Sequence, residues 1–284
     1  MIKRKLILSQ VRRVPMLSGT VQEGLRLLQD PQVDMGSLAQ ALQHDPGITA
    51  NILRLVNTPY FGSVNRVNNL RDAVVRLGAK RISHLLLTVA VTPRISGELA
   101  GYDQAPCTLL EQSLSIAVAA ELTAAELCIT APPHTFTAGL LANIGKIVIN
   151  QFLHGEYEQV NTQVEQENLS FEAAERNVLG VDHPEIGAEL LAFWNLPEDL
   201  VRVVRHFRDP ENSPEQDLTL DLVHVGSVVA CMTGIGQGVD GMQYRISEAV
   251  VLRLGLDESM VQNVMVKLVD HVEKIKEVLP KCGN

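Results

Sequence analysis

Apolar residues return every three to four positions along almost the whole of this 284-residue chain, and strict two-residue alternation is absent over any useful length. A period of 3.6 gathers apolar side chains on one face of a helix, whereas a half-buried strand needs a period of two. The chain is therefore expected to be all-α, with no significant β-sheet. What is available to fill the core agrees. Apolar residues make up 46% of the sequence but aromatics only 4%. Leu, Val, Ile and Ala must then do the packing, which suits helices better than a sandwich.

Helix ends are marked throughout. Thr20-Val21-Gln22-Glu23 reads as a capping box. Asp45 before Pro46 reads as an N-cap followed by a first-turn proline. That helix is expected to end near Asn57-Thr58-Pro59. Leu70 to Leu77 is amphipathic and closes at Gly78, and Ile82 to Val91 reads as a buried helix. Long helical patterns cover Leu109–Leu127 and Phe136–Phe152. Ser170 and Asp182 are expected to cap two further helices, and Glu258 to Leu279 reads as a long amphipathic one. The Gly- and Pro-containing stretch Pro93–Pro106 is the expected boundary between two helical lobes. The resulting division is 1–97, 98–208 and a carboxy-terminal extension, 209–284, packing on the second lobe. Asp72–Gly78 (DAVVRLG) and Glu248–Gly255 (EAVVLRLG) resemble each other and read as one local solution reached twice.

Charge narrows the partners. With 24 Lys and Arg against 33 Asp and Glu the net charge is −9, which disfavours nucleic acid and anionic membrane as generic partners. The basic start Met1–Lys5 reads as a solvated terminus, and Leu6-Ile7-Leu8 stops at Ser9-Gln10, too soon for a signal peptide. A cytoplasmic protein is expected. Cys107, Cys128, Cys231 and Cys282 form no CxxC pair and are read as free thiols.

Motifs for established chemistries are missing. There is no H-E-x-x-H, Walker A, GxGxxG or GxSxG. His44-Asp45 is the single His-Asp dipeptide, and there Asp45 is engaged as a cap. The segment that carries information is Ala138-Gly139-Leu140-Leu141-Ala142-Asn143-Ile144-Gly145-Lys146. It resembles the central helix of the HD superfamily of metal-dependent phosphohydrolases, where an apolar run, His-Asp and Ile-Gly-Lys follow one another. In this chain Ala142 and Asn143 replace the His-Asp pair. Val14–Leu17, Asp45–Thr49, Leu53–Asn57, Asn69–Gly78, His183–Ala188, Phe193–Pro197 and His206 extend the resemblance over residues 12 to 208. Together they resemble the HDOD family, the HD-related output domain of bacterial signalling proteins.

That resemblance implies a two-lobed, HD-like helical fold and a metal site that this chain has largely lost. Gln112 stands where an early His is expected, Ala142 and Asn143 at the central pair, and Ser227 at the final Asp, while His183 and His206 survive. Asn143 brings no charge and Ala142 no donor atom, and two histidines fall short of the three protein ligands a catalytic zinc ordinarily takes. No cofactor or metal is expected; any metal would rest on His183 and His206. The candidate pocket is Gln112, Asn143, Lys146, His183 and His206, a polar hollow suited to a small anion held by Lys146 and protonated His. The function implied is that of a non-catalytic regulatory module, monomer or homodimer, acting through contacts with other signalling proteins. The alternative is a divergent metal-dependent phosphohydrolase acting on a nucleotide or cyclic dinucleotide.

Overall fold

The computed structural model describes residues 2–28, 30, 32–58, 66–167, 169–236 and 244–276. Among them lie fifteen α-helices and no strand; the pairing nearest to one is an isolated bridge between Leu99 and Gln104. The chain is all-α, as its periodicity requires. It divides into two compact units. The larger holds residues 1–15 and 95–272, the smaller 16–94 and 273–284.

The smaller unit contains α2 (Gly19–Leu28), α3 (Met35–Gln43), α4 (Pro46–Val56) and α5 (Leu70–Ile95). Asp45 caps α4 by accepting from the Ile48 amide at 3.0 Å, with Pro46 in the first turn. Asn57 is the C-cap of α4, as expected; Pro59 lies outside the described residues. The capping box at Thr20 does not form. Ser18 lies two residues earlier, where its Oγ accepts from the Val21 amide, and Glu23 binds Arg26 instead. Gly78 breaks α5 at φ +70°, a region that costs glycine little and other residues a Cβ clash. The helix then runs on through Pro93 to Ile95, three residues into the expected loop. Gly255, after the similar EAVVLRLG segment, also has positive φ (+64°), but at ψ 35° it is a left-handed C-cap that ends its helix, whereas Gly78 at ψ 173° only kinks α5.

The larger unit contains α1 (Ile2–Val11), α6 (Thr108–Glu126), α7 (Thr135–Leu141), α8 (Lys146–Leu153), α9 (Tyr157–Gln166), α10 (Phe171–Leu179), α11 (His183–Phe193), α12 (Glu198–His206), α13 (Leu218–Met232), α14 (Glu248–Leu254) and most of α15 (Glu258–Lys276). The expected extension of α15 to Leu279 lies outside the described residues. Helix α1 packs on α8 and α11, although the sequence attached it to the amino-terminal lobe. Its basic residues are not simply solvated. Lys3 pairs with Glu156 and Arg4 with Glu185. Both cations are half exposed, so each pair contributes about 1 kcal/mol at most. Ile7 and Val11 make the apolar contact.

The core is built around α6, whose neighbours are α7 and α13. Both approach at backbone distance because they present glycine. A Cβ on Gly139 of α7 would sit 2.7 Å from the Ala117 Cα, and one on Gly226 of α13 2.8 Å from the Ala120 amide nitrogen. Ala117 and Ala120, both on α6, keep its side of each contact equally small. The segment Thr135–Leu153 is long and apolar enough to cross a membrane by length and composition, yet 78% of its most apolar window is buried in the protein, as in a core hairpin.

The pattern Phe136–Phe152 predicts one helix; the structure has two. Residues 142–145 form a tight turn with bonds from Ile144 to Leu141, Lys146 to Asn143 and Val148 to Gly145. This i→i−3 spacing is that of a 3-10 turn. Gly145 explains the break, because the turn presses against the start of α11: a Cβ there would lie 2.0 Å from the His183 carbonyl oxygen and 2.5 Å from the Gly187 amide nitrogen. Of the cysteines, Cys128 and Cys231 are free, but Cys107 is disulfide-bonded. Sequence spacing cannot reveal such a bond, since it depends on Cα atoms meeting in space.

Gly145→Ala is expected to cost about 3 kcal/mol or more, because both opposing atoms are backbone and cannot move aside. Urea unfolding followed by circular dichroism would check this; a loss under 1 kcal/mol would mean that the turn has room to spare.

Candidate functional site

Four of the five sequence-selected residues lie on elements that the packing above brings together. Gln112 is on α6, Asn143 in the 142–145 turn, Lys146 at the start of α8 and His183 at the start of α11. All four are at most 1% exposed. The Lys146 ammonium donates to Gln112 Oε1 at 2.9 Å and lies 5.1 Å from the centre of the Tyr102 ring. Tyr102 is carried by the 3-10 turn Ala100–Tyr102, which Asn150 of α8 holds by accepting from the Gly101 amide at 2.8 Å.

His183 is fixed from α10. Asp182 caps α11 by accepting from the Glu185 amide, with Pro184 in the first turn, and this sets His183 at the helix mouth. Glu175 Oε2 accepts from both the backbone amide and Nδ1 of His183, each at 2.8 Å, while its Oε1 accepts from the Tyr102 hydroxyl at 2.5 Å. A carboxylate only accepts, so Nδ1 carries the proton. On the other side of the ring, Glu172 Oε1 lies 3.7 Å from Nε2. Glu172 in turn pairs with Arg208 at 3.1 Å and accepts from the Tyr244 hydroxyl at 2.8 Å. The Arg208 guanidinium is stacked between Tyr244 and Phe207, 3.7 and 4.9 Å from their ring centres.

Two expectations need correction here. His206 makes no hydrogen bond or ion pair with the other four among the described residues. It ends α12 half-buried, and the neighbouring Phe207 presents its ring edge to His183 instead. Burial, then Arg205, pushes the His206 pKa down, so it is also a poor source of positive charge. Nor is the site stripped of carboxylates: Glu172 and Glu175 are both buried in it. Glu175 falls four residues after Phe171 and four before Leu179, inside the apolar stripe of α10. A charged residue in an apolar stripe was a legible signal. Tyr102, Arg208 and Tyr244 carried no comparable mark.

Two cations, Lys146 and Arg208, thus share the cluster with two glutamates, and the set is neutral when the imidazole is uncharged. The residues do not fit a divalent cation. At the position of the early His, the Gln112 oxygen is taken by an ammonium group, and a second cation beside it would be repelled. Ala142 has no donor atom, and no group of three His, Cys, Asp or Glu suited to a metal occurs among the described residues. Asn143 is fully buried and neither polar atom of its amide side chain meets a partner among the described residues. Ser227 is buried beside Arg208, 3.5 Å from Nη1, and donates to the His224 carbonyl oxygen. His224 bridges the Phe207 carbonyl oxygen through Nδ1 and the Ser247 amide through Nε2, so it is neutral; burial is the main cause that pushes its pKa down.

Glu175→Ala should destabilise by roughly 3–5 kcal/mol, since it strands an imidazole, an amide and a phenol that share one buried acceptor. His206→Ala should stay within about 1 kcal/mol. Comparable losses from the two in denaturant unfolding would mean that His206 belongs to the cluster after all. His224 also sets a pH dependence. An unfolded imidazole titrates near 6.5, whereas the folded one refuses the proton, so its stabilising effect is complete above about 6.5 and is lost as pH falls below it. Asp182, pushed up by burial, acts in the opposite sense at lower pH. Melting curves from pH 8 to 5 should show a decline that is shallower in His224→Gln.

Comparison with known proteins follows the same lines. The model of the HDOD domain matches residues 14–210. A crystal structure of an HDOD domain protein of unknown function from Geobacter sulfurreducens superposes with a TM-score of 0.75 at 24% identity, covering 97% of this chain and 99% of that one. A suspected phosphohydrolase from Shewanella amazonensis SB2B gives 0.70 at 22% identity, with 96% and 98% covered. A suspected signal transduction protein from Marinobacter aquaeolei VT8 gives 0.72 at 22%, with 93% and 59% covered. These likenesses speak for the fold. An uncharacterized protein of Treponema pallidum is 25% identical over 215 residues, 74% of this chain, and this match spans only 40% of that relative's length. With the family model covering well over half of the sequence, the chain belongs to the HDOD domain family.

Proposed function

We propose that this chain is a non-catalytic regulatory module of a bacterial cytoplasm, acting through contacts with other signalling proteins rather than by hydrolysis. The observation that carries the reading is the Lys146–Gln112 bond inside a closed cluster. An ammonium group sits on the oxygen that stands in the place of a metal ligand, 2.9 Å away. A hydrolase of this architecture needs a cation that activates water and neutralises phosphate charge. In this cluster the positive charge is an ammonium group, which has no empty coordination position at which to activate water, and its counter-charges are already present in Glu172 and Glu175.

The same balance bears on a small anionic ligand. Lys146 and Arg208 face two glutamates, so an incoming anion would meet a neutral, buried set rather than an open basic hollow. The cluster then serves chiefly to lock α6, α8, α10 and α11 together in the shape that partners recognise.

Chain purified from cells supplied with iron, manganese and zinc should carry far less than one metal ion per molecule. It should leave p-nitrophenyl phosphate, nucleotides and a cyclic dinucleotide intact. A stoichiometric metal that disappears in His183→Ala and His206→Ala, or turnover that depends on it, would overturn the proposal in favour of a divergent phosphohydrolase.

A further inference from the structure

The charges of this acidic chain are strongly segregated. Residues 46–97 hold seven Lys and Arg, six of them Arg, and a single carboxylate, Asp72. The larger unit, by contrast, has 26 Asp and Glu against 13 Lys and Arg. Within the smaller unit, local hydrogen bonds bring the basic residues onto neighbouring surfaces. The Asn57 side chain clamps Val67, accepting from its amide at 2.8 Å and donating to its carbonyl oxygen at 2.9 Å. This sets Arg66 beside the last turn of α4, where Arg54 is exposed. Asn69 accepts from the Asp72 amide at 2.8 Å and starts α5 immediately afterwards.

On the first two turns of α5, Leu70, Ala73 and Val74 point inward, and Arg71, Asp72, Val75 and Arg76 share the exposed arc. Val75 is 62% exposed. No ion pair holds Arg54, Arg66 or Arg76 among the described residues. Arg71 has one modest neighbour, since its charge helps to lower the Asp34 pKa behind the hydrogen bonds from Ser37 and Gly36. The face therefore holds three guanidinium groups without an ion pair among the described residues, Arg54, Arg66 and Arg76, with Arg71 and the single carboxylate Asp72 beside them, around one exposed aliphatic side chain.

We infer that the face formed by Arg54, Arg66, Arg71, Val75 and Arg76 docks an acidic segment of a partner protein, one that presents carboxylates to the arginines and an apolar anchor to Val75. The inference rests on the reading that this chain acts through protein contacts. Arginine rather than lysine suits a protein interface, because its planar fork pairs with carboxylates two bonds at a time and it holds its hydration weakly. Arg is also enriched in interface cores, where Lys is depleted. A nucleic acid is the less suited occupant. Polyanions respond to the field of the whole molecule, which is −9 overall, whereas a short acidic segment meets the local patch within a Debye length of roughly 8–10 Å.

The test uses the full chain and a fluorescein-labelled helical peptide of roughly 16 residues built from Glu and Leu, with a Gln-for-Glu version and a duplex DNA as comparisons. Fluorescence anisotropy should show the Glu peptide binding about tenfold or more tightly than the Gln peptide, and weakening as salt rises. R54E/R71E/R76E should abolish that preference while leaving the circular dichroism and melting temperature unchanged; R54Q/R71Q/R76Q serves if the charge reversal disturbs folding. Equal binding of the two peptides, a preference that survives in the folded variants, or tighter binding of the DNA than of the Glu peptide would overturn the inference. Each of these outcomes leaves the metal and hydrolysis measurements, and so the non-catalytic reading, standing on their own.

Discussion

A carboxylate with no access to water governs the larger unit. Glu175 is fully buried, and an ionised group there is tolerated only if its lone pairs are filled by donors. Among the donors that reach it are the Tyr102 hydroxyl, the His183 amide and the His183 ring. Each comes from a different constraint. Tyr102 is delivered by the 3-10 turn that Asn150 holds, the His183 amide is the first of α11, and the ring is presented by the Asp182 cap. Helix α8 supplies Asn150 and also Lys146, which reaches over the Tyr102 ring to Gln112 on α6. The position of one carboxylate thus depends on α6, α8, α10 and α11 together, and the turn that opens α8 meets α11 through Gly145, a contact that admits no side chain.

Much of this arrangement could be read from the sequence, and the reason is local. Asp45, Ser170 and Asp182 act as caps because the bond from a short side chain to an amide three residues on is decided within one turn. Gly78 and Gly255 are legible on equally local grounds, because each takes a positive φ that glycine adopts at little cost. Thr20 misled because Ser18 offers the same chemistry two residues earlier and sequence alone does not rank the two. The break at residues 142–145 was illegible for a different reason. Nothing in LLANIGK forbids a continuous helix; what stops it is the backbone of α11 pressing on Gly145, a contact some forty positions away.

The pocket divides in the same way. Gln112, Asn143, Lys146 and His183 were found because a recognisable pattern carried them, and the fold gathers them. His206 rests on the same resemblance, but side chains at adjacent positions on a helix point about 100° apart, and that rotation gives the inward place to Phe207. The residues that were missed are those whose role exists only in three dimensions. Arg208 matters because Glu172, Tyr244 and Phe207 surround it, and those residues come from three separate parts of the chain. Glu175 alone announced itself, as a charge in an apolar stripe.

The interior and the surface of the molecule treat charge in opposite ways. Inside, Lys146 and Arg208 are matched by Glu172 and Glu175, because an unmatched buried ion would cost several kcal/mol. Such a set is strong as a lock and poor as a receptor, since any charged visitor must first break a pairing that already satisfies both sides. On the smaller unit, Arg54, Arg66 and Arg76 stay uncompensated, and solvent makes that cheap. A free surface charge contributes almost nothing to folding. Its energy is released only when a carboxylate displaces water from it. The composition of the chain, acidic as a whole, hides this face entirely; the charge that has no use in holding the fold together is the charge left for recognition.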